Sequence, residues 1–447
     1  MKYDEWISGL DLVDAGKEMR RLIVEMYPIC RSITGEGLRE TLRIIGNIVP
    51  LELYEVPTGT PVFDWHIPKE WNVLDAWVKN SRGEKVIDFR RSNLHLVNYS
   101  LPVREKVPLE ELKKHLFSIP EYPRWVPYRT SYYKETWGFC LSHEQLASLK
   151  DDIYEVHIDS TLEPGSLTYG EFFLPGETTD EVLISCHACH PSLCNDNLSG
   201  LSLATTLAKR LGNISRRYSY RFLFIPGTIG SIAWLSKNEY RLPLVKHGLV
   251  VACVGDSGRL TYKKSRRGNA MIDTTVAHVL KHCGSDYEIV EFSPYGYDER
   301  QYCSPAFDLP VGSLTRTPHG RYPEYHTSAD DLDFVEEKFL ADSLARYLDV
   351  LHVLENNFAY RNLNPKCEPQ LGKRGLYHAM GGEKESRLHE LAMLWVLNLS
   401  DGLNTLLDIA DRAVMNFQLI DEAAKRLCHH GLLEKCVAPP MNGSMKC

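Results

Sequence analysis

The chain has no run of about 18 apolar residues, the length that would span a bilayer. Its amino terminus, MKYDEWISGL, carries acidic residues where a secretory signal would place a positive region ahead of an apolar one. It also lacks low-complexity tracts and long blocks of like charge, and its formal charge is -8. The lack of a basic excess removes support for nucleic acid or an anionic membrane as the main partner. With no export signal, the twelve cysteines are expected as reduced thiols, and the expected address is cytoplasmic.

What is present is the composition of a globular protein, 43% hydrophobic and 25% charged, over 447 residues, a length that predicts two or three domains. The most informative stretch is EVLISCHACHPSLCNDNLSG, residues 181 to 200. Val182, Leu183 and Ile184 read as a buried strand. His187, Cys189, His190 and Asp196 follow, and Ser199-Gly200 opens the helical pattern LSLATTLAKRL. The carboxyl end of a strand is where open α/β sheets bind ligands, so the stretch predicts a metal site. A zinc knuckle built on Cys186, Cys189, Cys194 and His190 and a redox pair Cys186/Cys189 are weaker readings. The knuckle needs a rigid loop rather than a strand-to-helix crossing, and the redox pair leaves Asp196 unexplained.

Residues 1 to 60 carry two helical patterns separated by Arg31-Ser32-Ile33-Thr34-Gly35, expected as packed helices with an N-cap between them. The sharper alternative places Arg31, Ser32 and Thr34 beside the site. From 61 to 150 short alternating runs and frequent prolines predict an inserted β-rich domain, in which the aromatics of WVPYRTSYYKETWGF are assigned to a core. From Asp151, beginning with IYEVHIDS, strand and helix patterns alternate. They predict a mixed, largely parallel sheet flanked by helices, so that 1–60 and 151–358 form one α/β domain. A linker with Pro365 and Pro369 leads to three helical patterns in 370–447, expected as a winged helix. From Glu383 onward seven Lys and Arg face nine Asp and Glu, which argues against DNA as its partner.

His187, Asp196, Asp256 and His326 are each predicted after a strand, and together they are nitrogen and oxygen ligands that zinc accepts. Any one of them is an ordinary core residue or cap; the combination of H-x-x-H, N-D-N-x-S-G and Y-H-T-S-A-D is far more specific. This pattern resembles the zinc aminopeptidases of the M28 type. The chain as a whole is similar to bacterial aminopeptidase-like proteins associated with polysaccharide or other biosynthetic gene clusters, with an inserted β-rich domain and a carboxyl-terminal winged helix. CRSITGEG, NLHLVNYS, SYYKETWGFCLSH, DERQYCSP and RTPHGRYPEYHTSADDLDF carry that resemblance.

The resemblance implies one or two zinc ions held by His187, Asp196 and Asp256, with Asp196 shared and His326 on the second. One departure stands out: where the aminopeptidases have a Glu-Glu pair, this chain reads Ile225-Pro226-Gly227-Thr228-Ile229-Gly230-Ser231. Glu299, Asp298 and His190 are the candidates for the missing base, Glu299 first, weighed against a solvated ion pair with Arg300. Arg300, Arg316 and Arg321 are candidates to hold an anionic group of the substrate. The expected activity is metal-assisted hydrolysis of an amide, on a short peptide or a small biosynthetic intermediate. Two other readings remain: a catalytically silent metal-binding scaffold, and a winged-helix regulator. No membrane partner is expected, and a homo-oligomer is left open.

Overall fold

The computed structural model describes residues 10–376 and 384–436. The amino-terminal stretch read for a signal, part of the glycine-bearing linker and the last residues of the carboxyl-terminal module lie outside them. Among the described residues no helix is long and apolar enough to cross a membrane. The chain divides into two compact units, 10–273 with 286–345, and 274–285 with 346–436.

The first unit is organised by an eight-stranded sheet. Four neighbouring strands are parallel, Ser219–Ile225, Glu181–His187, Val245–Val251 and Val311–Thr315. Every residue of the first two is buried, as covering by helices on both faces requires. Glu52–Pro57 and Ser166–Leu174 extend one side antiparallel, and Leu260–Lys263 with Tyr287–Val290 extend the other. Helices Gly200–Leu211 and Ile229–Asn238 follow their strands directly, and the amphipathic run after residue 333 forms helix Glu337–Asn356. The expected mixed, largely parallel sheet with flanking helices is present.

A second, four-stranded antiparallel sheet is ordered Lys85–Asp88, Glu70–Lys79, Ile153–Glu163, Val103–Pro108. IYEVHIDS, assigned from the sequence to the large sheet, is therefore one of the two interior strands of this small one. Its buried residues alternate through Tyr154, Val156, Ile158 and Ser160, the signature of a half-covered antiparallel strand rather than a doubly covered parallel one. Apolar residues of both sheets, Trp71 and Tyr154 with Leu183 and Ile225, belong to one core.

In the second unit a three-stranded sheet, Asp401–Thr405, Ala359–Asn362, Leu433–Lys435, accompanies helices Lys384–Leu399, Leu406–Ala413 and Phe417–His429. The three helical patterns are thus the helices of a winged helix. Its middle strand, Ala359–Asn362, lies ahead of the boundary expected at residue 370, because only four residues of mixed polarity carry it.

Candidate metal centre

The strand Glu181–His187 ends at the sheet edge on His187, and the turn Cys194–Ser199 returns Asp196 to the same point. Asp196 is fully buried. Its Oδ1 lies 2.8 Å from His187 Nε2, and its Oδ2 lies 3.0 Å from His326 Nε2 and 3.8 Å from His190 Nδ1. Burial opposes the charge of Asp196, but the surrounding imidazoles outweigh it and hold the carboxyl well below its usual range. For His187 burial disfavours the cation, and the hydrogen bond and charge of Asp196 reverse the balance upward. Burial takes His190 down to about 3, so it presents a neutral ring.

The motif N-D-N-x-S-G is explained residue by residue. Asn195 Nδ2 donates to Asp256 Oδ2 at 2.9 Å, and its Oδ1 accepts the Gly255 N–H at 3.0 Å. Asn197 Nδ2 donates to the carbonyls of His187 and Val251 at 3.2 and 3.1 Å, while its Oδ1 accepts the Cys253 N–H. Ser199 Oγ donates to the Asn195 carbonyl and accepts from Val254 N–H. A Cβ on Gly200 would come within 2.4 Å of Asn197 Oδ1, so the asparagine needs glycine there. From the other side Asp330 accepts the backbone N–H of Asn195 at 2.6 Å and of Asp196 at 2.9 Å. In the sequence Asp330 is only the end of the Y-H-T-S-A-D motif; nothing local marks a carboxylate as the acceptor for a distant turn.

Of the four residues expected as ligands, His187, Asp196 and His326 meet. Asp256 does not join them. Its oxygens are taken by Thr317 Oγ1 at 2.5 Å, Gly258 N–H at 2.7 Å, Thr317 N–H at 3.2 Å and Asn195, which makes it the anchor of the turn. The correction follows from register. Val245–Val251 stops earlier than the apolar run suggested, and Cys253 is the residue beside the cluster. Cys253 has φ +50, and its Sγ lies 2.8 Å from the Tyr297 hydroxyl. Burial, then the charge of Asp196, pushes its thiol well above the usual range. His190, listed as a candidate catalyst, instead stands with the ligands. His187, His190 and Asp196 offer atoms that all lie within 4.8 Å of one another. His190 Nδ1 is buried without a hydrogen-bond partner among the described residues. A buried carboxylate among three imidazoles, one with an unused nitrogen, is a donor set that fits zinc.

The segment 126–128 contributes directly. His326 is held at φ +57 by segment 126–128: Tyr128 N–H donates to the His326 carbonyl at 2.7 Å, and Ser328 N–H to the Val126 carbonyl at 2.8 Å. The Tyr128 ring stands edge-on to both His190 and His326, with centroids 5.2 and 5.1 Å away. The tyrosine-rich run assigned to a core thus also walls the site, and buried aromatics give the same sequence signal in both roles. Of the sharper alternative, Arg31 reaches the site, whereas Thr34 bonds the Tyr99 hydroxyl and the Trp71 N–H. The buried Arg31 Nε donates to the His190 carbonyl at 2.9 Å. Two helices flank this loop as expected, but the residue before the second is Gly35, which supplies no side-chain cap.

At the start of helix Ile229–Asn238, where no carboxylate is present in the sequence, a Cβ on Gly227 would stand 3.6 Å from that of His187. Asp298 reaches this helix start from its own loop. Its Oδ1 accepts Thr228 N–H at 2.7 Å and Ser231 Oγ at 3.0 Å, while Oδ2 is buried without a partner among the described residues. Burial raises the Asp298 carboxyl above its usual range. Glu299 is fully buried and pairs with Lys263 Nζ at 2.9 Å, not with Arg300. Arg300 donates to Thr228 Oγ1 at 3.3 Å. Arg316 is buried against Asp342, Ser343 and the Gly258 carbonyl, a structural role. Arg321 pairs with Glu288 at 2.8 Å and lines a cavity beside the cluster.

Comparison with known proteins gives a consistent picture. Residues 20–357 match the family described as Domain of unknown function (DUF4910), and residues 358–435 match a winged helix-turn-helix family. A Clostridium acetobutylicum protein described as a putative polysaccharide biosynthesis protein with aminopeptidase-like domain is 54% identical over 421 residues, covering 94% of this chain and 97% of that protein. The crystal structure of a putative peptidase from the same species has a TM-score of 0.91 at 53% identity, covering 95% of this chain and 97% of that one. A zinc aminopeptidase from Bacillus subtilis shares the fold, with a TM-score of 0.55 at 11% identity over 76% of this chain and 95% of that one.

Proposed function

The chain belongs to the Domain of unknown function (DUF4910) family and has the fold of a zinc aminopeptidase, and from that premise we propose that it is a zinc-dependent amide hydrolase. The observation that carries this reading is Asp196, a buried carboxylate with a histidine on each oxygen and a third beside it. His187, Asp196, His326 and His190 would hold the metal. Bound there, zinc supplies a Lewis acid and a water of lowered pKa.

The chain's own residues do the rest. Asp298 takes the proton at Oδ2, the oxygen left over once Oδ1 is fixed by Thr228 and Ser231. It is preferred to Glu299 because its bonded oxygen is held by neutral donors, whereas Glu299 shares its charge with the Lys263 ammonium. Asp330 and Asp256 hold the Asp196 turn from opposite ends, and burial excludes bulk water from the carboxylate. The scissile amide belongs to a peptide or, as the Clostridium relative's description favours, to an intermediate of polysaccharide assembly.

One observation favours a second reading. The Gly227-Thr228 stretch carries no carboxylate, as expected of a metal-binding scaffold that has lost catalysis. Turnover of a panel of aminoacyl and N-acyl amides, with and without chelator, separates the two. The hydrolase reading expects chelator-sensitive turnover that is lost in His187→Ala; zinc bound with no turnover of any amide selects the scaffold.

A further inference from the structure

Next to the cluster lies a cavity of about 190 Å³ lined by Lys263, Tyr295, Tyr297, Glu299, His319 and Arg321, among others. It shares a wall with the metal ligands. The Tyr297 ring stacks on His187 at 5.4 Å, and His319 stands edge-on to Tyr297 at 4.8 Å. We infer that this cavity is a specificity subsite for one hydroxylated sugar ring, attached to the amide that is cleaved. The inference rests on the hydrolase reading and names its substrate class.

Glu299 Oε2 is fully buried and has no partner among the described residues, although Oε1 pairs with Lys263. His319 Nδ1 is likewise buried and unpartnered. The hydroxyls of Ser313 and Thr315, also on the wall, donate to the main-chain carbonyls of Val250 and Thr261. Such a surface offers acceptors and calls for a ligand carrying several donors. An unpaired buried acceptor costs about 1–3 kcal/mol, so the ligand that satisfies these atoms gains by it. An aliphatic group would leave all of them unmet.

Charge separates the two donor-rich candidates. Lys263 and Arg321 are each ion-paired, with Glu299 and Glu288, so neither an uncompensated cation nor an uncompensated carboxylate faces the ligand from these pairs. A protonated amine would lose its hydration without gaining an unpaired carboxylate, a cost that neutral hydroxyls do not meet. At about 30 Å³ for each displaced water, the space holds on the order of six waters, which suits a single ring with its substituents. Tyr295, 72% exposed, offers a flat face at the mouth.

The test is titration calorimetry of the zinc-loaded protein with three probes, N-acetylglucosamine, leucinamide and lysinamide. The expected result is tightest binding of the sugar amide, weakened at least tenfold by Glu299→Gln and measurably by Tyr295→Ala, with zinc content unchanged in both. The exposed Tyr295 variant keeps the test valid if the buried substitution does not fold. Tighter binding of leucinamide or lysinamide, or sugar binding indifferent to both substitutions, overturns the subsite. Sugar binding that responds to these substitutions in a protein without zinc or turnover would retain the subsite and end the hydrolase reading.

Discussion

The metal cluster and the winged helix obey different rules. Around the cluster, Ser192, Thr228, Cys253 and His326 adopt left-handed backbone conformations without being glycine, and His190, Asp298 and Glu299 each bury an atom with no partner among the described residues. In the winged helix local preference and structure largely agree. Thr405 and Asp408 form a capping box and Asn416 caps the following helix, while Val414, at φ +55 on a helix C-cap, is a departure there. Departures from local rules gather around the cluster and are fewer in the winged helix.

That contrast predicts how each region breaks. The largest effect falls on Asp298→Asn, which keeps the shape of the side chain and removes its basicity. Turnover is expected to drop about 10²- to 10⁴-fold with zinc content intact, measured on whichever amide the wild type cleaves best. Next comes Asp330→Ala, which strands two buried N–H groups. A loss of about 1–3 kcal/mol for each in denaturant unfolding is expected, with zinc binding about 10- to 100-fold weaker.

Acid should act on both units alike. Burial takes His247 in the first unit and His352 in the second each down to about 3. Because these rings stay neutral when folded and take a proton near 6.5 when unfolded, their contribution is intact above about pH 6.5. It is lost as pH falls from there toward 3. Each contributes a slope of at most about 1.4 kcal/mol per pH unit, and His247→Gln or His352→Gln should flatten the acid limb of a stability profile. The smallest effect is Thr405→Ala, which removes a cap. Stability should fall by about 1 kcal/mol, with zinc affinity and turnover unchanged.

The same contrast explains what could be read without coordinates. Strand Glu181–His187, the helix after Gly200 and the three winged-helix segments are locally consistent and were legible. His187, Asp196 and His326 were legible because a strand end and two dense motifs present them. Asp256 falls outside the cluster because its strand stops before the end of VVACVGDSG, so the residue beside the cluster is Cys253, three positions earlier. Ile153–Glu163 reads as a strand in either sheet, and its alternation decides only once both faces are considered. Tyr128, Arg31 and Asp330 act across long sequence separations, through backbone groups that no side-chain pattern advertises.

The central claim is that Asp196 is the shared anchor of a zinc centre. Metal analysis of the protein purified without added zinc, beside Asp196→Asn prepared identically, tests it most directly. The account expects zinc in the wild type, removable by chelator, and none in the variant. A wild type without zinc, or a variant that retains as much of it, would contradict the claim.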